Sequence, residues 1–86
     1  MQLSKEIEKC FSEIEQLFGQ NDLYTFTNCN YNDLFLYHFA LGTWIRNHLL
    51  KENDTLYKLF IQAGIIHTDD MSALMIRLFY IYLRTK

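Results

Sequence analysis

Apolar side chains return at three- and four-residue steps along most of this chain, and no proline interrupts them. Such steps keep side chains on one face of a 3.6-residue helix, so the pattern selects helices over strands. Leu3, Ile7, Cys10, Phe11, Ile14, Leu17 and Phe18 form the first stripe, with Ser4 placed to cap it and Gly19 to close it. Its other face carries Lys5, Glu6, Glu8, Lys9, Glu13 and Glu15 and reads as a solvated surface. Residues 20–32 break the period. Asn21, Asp22, Asn28, Asn30 and Asn32 favour turns, because short polar side chains bond nearby backbone. A structured loop folded over the core, or one with a short extended piece, is expected there, anchored by Leu23, Tyr24 and Phe26.

Asn30 or Asn32 then caps a central helix from Asp33 to about Leu50. Its first half is apolar nearly all round, and such a helix is buried all round or faces a partner chain. Gly42 inside it costs roughly 1 kcal/mol relative to alanine. Close approach of another helix, or of a ring such as Trp44, would account for it. Asn53 or Asp54 caps a third helix through Ala63, closed by Gly64. Thr68 or Asp69 caps a last helix from Asp70 to about Arg84. The expected fold is all-α: a compact bundle of four helices with a structured loop between helices 1 and 2. A single helical domain over residues 1–86 follows, because 86 residues leave room for one core.

An apolar fraction of 50% with a net charge of −2 excludes intrinsic disorder. A pI near 5.8 argues against a dedicated nucleic-acid binder. Residues 1–33 carry −4 and residues 34–86 carry +2, a dipole too mild to name a partner. The opening residues lack a basic region followed by an apolar run, so no secretory signal is expected. The longest uncharged apolar stretch, Leu34 to Ile45, is too short to span a bilayer. Two cysteines make no disulfide framework, and Cys10 within an apolar stripe reads as a reduced thiol. A cytoplasmic protein is the expectation.

Two clusters invite a chemical reading. Arg46, in Trp44-Ile45-Arg46-Asn47-His48, follows a strongly apolar stretch. A planar guanidinium there either clamps a carboxylate or phosphate, or pairs with an internal acid and braces the fold. In His67-Thr68-Asp69-Asp70-Met71-Ser72 the acids suit a helix start, and His67, Asp69 and Asp70 also have metal-ligand chemistry. No second Cys or His cluster supports a metal, and His38 and His48 lie about 80° out of alignment on one helix. No metal and no cofactor are therefore expected. A phosphate loop, a nucleophile elbow and a paired-cysteine motif are all missing, so no catalytic residue is assigned and no enzyme is expected. A DNA-reading helix is rejected on charge, since the last helix opens Asp70-Met71-Ser72-Ala73.

Fourteen aromatic residues are many for a chain this small to enclose. Tyr24, Phe26, Tyr31, Tyr80 and Tyr82 are candidate interface residues, because Tyr suits protein contacts. Trp44, Arg46, Asn47, His67, Asp69 and Asp70 are the candidate binding residues.

Leu41-Gly42-Thr43-Trp44-Ile45-Arg46-Asn47 and the Asp69-Asp70-Met71-Ser72 helix start resemble the signatures of a small bacterial helical domain of unknown function. The resemblance covers residues 34–83, with both motifs in order. The chain departs at Thr68, where that pattern carries proline, which leaves the last helix dependent on Thr68 and Asp69 as caps. The resemblance implies a helical fold and no particular activity. It suggests that the two motifs meet, with Arg46 forked against Asp69 or Asp70. If that pair is buried, removing one member costs roughly 3–5 kcal/mol. The resulting expectation is a small cytosolic domain acting through an aromatic-rich surface, as an adaptor, an immunity protein or a phage- or plasmid-encoded inhibitor. Its partner is another protein or a second copy. The rival is a small-molecule or metal site, enzymatic or not, around Arg46, Asn47, His67, Asp69 and Asp70.

Overall fold

The longest helix, Thr68–Thr85, organises the molecule. In the computed structural model, which describes residues 2–85, five α-helices are found: α1 (Gln2–Glu15), α2 (Gln20–Asn28), α3 (Thr43–His48), α4 (Thr55–Gln62) and α5 (Thr68–Thr85). A 3₁₀ helix (Tyr31–Tyr37) and a π-helical turn (His38–Gly42) link α2 to α3. No strand occurs among the described residues. Residues 1 and 86, the ends of the expected 1–86 domain, lie outside them.

Helix α5 buries two adjacent rows, Met71, Met75 and Phe79 beside Ser72, Ile76 and Tyr80. Four-residue spacing stacks each row along one face. Helices α2 and α3, the 3₁₀ helix and the π turn all pack on this helix. Helix α1 presents Leu3, Ile7, Phe11 and Ile14 inward, packs on α4, and sets Phe11 against Phe79 and Tyr82 with ring centroids 5.7 and 4.6 Å apart. Phe26, Phe60 and Phe79 are the largest fully buried side chains. No described helix is long and apolar enough to cross a membrane.

Residues 20–28 form α2 rather than the expected loop. Two contacts override the turn preference of its asparagines. Phe26 is fully buried among Phe18, Tyr37, Phe79 and Tyr80. The polar side chains fold back on the helix: Thr25, Thr27 and Asn28 donate to the carbonyls of Asn21, Leu23 and Tyr24. This back-bonding lets Thr and Asn sit inside a helix. The end of α2 is held from α5. The Tyr80 hydroxyl donates to the Cys29 carbonyl at 2.6 Å, and Arg84 Nη1 donates to the Thr27 carbonyl at 2.8 Å. Terminal carbonyls of a helix otherwise lack partners.

The central helix expected over residues 33–50 is three elements, and it is not buried all round. Leu34, Leu41, Gly42 and Ile45 face the core, whereas Phe35 and Leu36 are 65% and 64% exposed and Phe39 is 88% exposed. Ser4 lies inside α1, and Gly19 sits at the N-cap of α2 with φ −69°, so neither plays its expected capping role. Helix α5 starts at Thr68, and the His67 carbonyl accepts the Met71 N–H, so the cap falls on His67. Gly64 does close α4. Its φ is +88°, with Ile65 N–H donating to the Phe60 carbonyl and Gly64 N–H to the Ile61 carbonyl, each at 3.0 Å. That is the two-bond Schellman end, whose left-handed residue favours glycine.

Candidate functional site

Trp44 and Arg46 stand two residues apart on α3, about 200° around the helix, so they serve opposite sides. Arg46 turns toward α5. Its Nη1 donates to Ser72 Oγ at 2.9 Å and lies 3.5 Å from Asp69 Oδ1, and Nη2 donates to Thr43 Oγ1 at 3.0 Å. Ser72, fully buried, donates onward to the Asp69 carbonyl at 3.1 Å. The guanidinium therefore ties α3 to the first turn of α5 through a buried hydroxyl. Gly42 makes room for it: a β-carbon there would stand 3.0 Å from Arg46 Nη1. The closest approach is made by Arg46, with Ser72 Oγ of α5 next at 3.7 Å; the Trp44 ring plays no part in it.

The fork between Arg46 and the two aspartates is only partly realised. The Asp69 side chain is 83% exposed, so the pair is screened and contributes about 1 kcal/mol or less, well short of a buried pair. Asp70 points elsewhere. His67 and Asp70 line a separate cleft of about 420 Å³ beside Arg77. Asn47 is exposed on α3. Arg46 and Asp69 instead share a cleft of about 300 Å³ with His38, Phe39 and Thr43. The five residues of the rival reading thus do not converge. Among the described residues no three His, Cys, Asp or Glu side chains are grouped to hold a metal ion.

The Gly42–Arg46 contact makes a quantitative prediction. Alanine is favoured over glycine in a helical interior by about 1 kcal/mol. In an Arg46→Ala background, Gly42→Ala should deliver that gain. With Arg46 present the new methyl displaces the guanidinium from Ser72, and the gain should vanish or reverse. A double-mutant cycle by urea denaturation measures the difference. Equal gains in both backgrounds would show that the guanidinium does not need the space.

The aromatic candidates separate by burial. Phe26 and Tyr80 are core residues, not interface residues, because both rings pack on α5 or its neighbours. Tyr82 is half-buried against Phe11. Tyr24 and Tyr31 are exposed. The most exposed large apolar side chain, Phe39, and its neighbours Phe35 and Leu36 lie in the segment whose pattern implies burial all round or a partner-facing surface. Apolar character all round a segment did not reveal which side stays uncovered.

The family model of a domain of unknown function, DUF6794, matches residues 5–83. The chain belongs to this family. The DUF6794 match takes in residues of all five α-helices, more than the 34–83 stretch carrying the two motifs. Helices α1 and α2 are thus part of the DUF6794 unit, as expected if α2 completes the core through Phe26. No curated protein and no solved structure matches this DUF6794 chain.

Proposed function

We propose that this domain acts by binding another protein through the surface around Phe35, Leu36 and Phe39. The observation that carries the reading is Phe39, 88% exposed beside two further apolar side chains more than half exposed. Clustered exposed apolar groups on a small folded chain mark contact sites. The segment is also irregular, running as a seven-residue 3₁₀ helix into a π turn. Such departures from α-helix cluster at functional positions. Flanking clefts hold His38 with Arg77 on one side and Arg46 on the other. Asp69 offsets Arg46 in the second cleft, so Arg77 is the cation left to meet an acidic group on the partner. An adaptor or an inhibitor of a larger protein fits this mode of action.

Phe39→Asp tests it. The side chain is exposed, so stability should change by no more than about 0.5 kcal/mol. Affinity purification from native cells should recover one stoichiometric partner with the wild type and none with the variant. Recovery of the same proteins by both chains would overturn the reading. Sedimentation equilibrium separates the other occupant: a dimer lost on Phe39→Asp would assign this face to a second copy instead.

A further inference from the structure

Trp44, turned away from the Arg46 side, lines a different cleft between α2, the π turn and α3. Its volume is about 380 Å³, within the roughly 300–1,000 Å³ of small-molecule sites. Three aromatic side chains, Phe18, Tyr37 and Trp44, stand in its walls. Each is braced by a further ring. Phe18 packs on Phe26 at 5.4 Å, Tyr37 meets Phe26 edge-on at 4.7 Å, and Trp44 stacks on His48 at 4.7 Å and 13°. The walls are therefore formed before any ligand arrives.

One charged side chain lines this cleft, the carboxylate of Asp22 on α2. No cation among the described residues pairs with it. Its field reaches the aromatic wall: the Tyr37 phenol is pushed up by burial first, then by Cys29 and Asp22. Asp22 is an exposed residue, so its carboxylate stays hydrated and a neutral apolar ligand gains nothing from its charge. An anion would be repelled. A cation with apolar substituents meets both demands, because aromatic faces, tryptophan above all, attract cations within about 6 Å of the ring centre.

The geometry points to a binding site for a small organic ammonium ion, with its alkyl groups against Phe18, Tyr37 and Trp44 and its charge facing Asp22. This site shares no lining residue with the clefts flanking Phe35 and Phe39, and it does not depend on the protein-binding reading.

Trp44 is the sole tryptophan, so its fluorescence reports on the cleft directly. Choline is the probe. Its neutral isostere 3,3-dimethylbutan-1-ol, with carbon in place of the charged nitrogen, is the control. Choline should give a saturable change and bind at least about tenfold tighter than the isostere, a difference of about 1.4 kcal/mol. Asp22→Asn, a change on the surface, should weaken choline about fivefold and lower the melting temperature only slightly, since it removes one acid from the first turn of α2. The Thr25 and Ala40 methyl resonances should shift with the same binding constant, since both residues line the cleft. Equal binding of the two compounds, unchanged affinity in Asp22→Asn, or methyl shifts confined elsewhere would overturn the assignment. So would the absence of saturation up to about 0.1 M, where even a millimolar site is filled.

Discussion

Replacing Phe26 with alanine should destabilise the fold by about 3–5 kcal/mol, the range for a phenylalanine removed from a close-packed core. The ring is fully buried, and four others surround it: Phe18, Tyr37, Phe79 and Tyr80, at centroid distances of 4.7 to 5.9 Å. These rings come from three separate parts of the chain, the α1–α2 connection, the 3₁₀ helix and α5, so a cavity there loosens all three together with α2. A domain of this size has a total stability of roughly 4–13 kcal/mol. The loss is thus between about a quarter and the whole of that stability, and the urea midpoint should fall in proportion. Urea denaturation followed by circular dichroism measures this, and a loss below about 1 kcal/mol would remove Phe26 from the centre of the core. Phe26→Leu, which keeps most of the volume, should retain the fold with a smaller loss.

Cys10 should react with iodoacetamide about a hundredfold more slowly in the folded protein than in the urea-unfolded chain at neutral pH. Its thiol is pushed up from 9.0 to about 11, first by burial and then by the carboxylates of Glu13, Glu6 and Asp54. The thiolate is the nucleophile, and two pH units remove about 99% of it. The thiol instead donates to the Glu6 carbonyl, with sulfur 3.4 Å from the oxygen. Mass mapping of the alkylated peptides follows Cys10 separately from Cys29. The same shift sets a pH dependence. Between pH 9.0 and about 11 the unfolded chain has lost a proton that the folded chain keeps. Stability then falls as pH rises, and it is fully present below that window. Cys10→Ala should flatten this part of the alkaline unfolding profile. A profile unchanged by the substitution would show that Cys10 is not the group responsible.

The helical class was legible because the apolar period agrees with tertiary structure at α1, α4 and α5, and glycine placement agrees at α4. Gly64 closes α4 with a left-handed backbone that its position alone announced. Helix α2 was not legible, since its local chemistry speaks for turns. The groups that decide otherwise, Phe79, Tyr80 and Arg84, lie more than fifty residues along the chain. The link between Arg46 and the first turn of α5 was anticipated, but not its nature. Ser72, which the sequence marks only as part of a helix start, is the buried acceptor, while the Asp69 side chain is largely in solvent. No periodicity distinguishes a buried Leu34 from an exposed Phe35 when both stand in a uniformly apolar run. The cleft at Trp44 is lined by residues between 17 and 44 that α2 draws together, so a sequence pattern that favours turns at 20–28 does not reveal it.

The clasp of Tyr80 and Arg84 on the carbonyls of Cys29 and Thr27 has a consequence for biosynthesis. Chains leave the ribosome N-terminus first, yet residues 20–29 wait for latches more than fifty residues further along the chain. Until α5 emerges, the asparagine-rich segment and the Phe26 ring have nothing to dock on. Folding of this domain is thus a late, concerted event, and a nascent chain stalled before residue 79 should remain open to proteases along that segment.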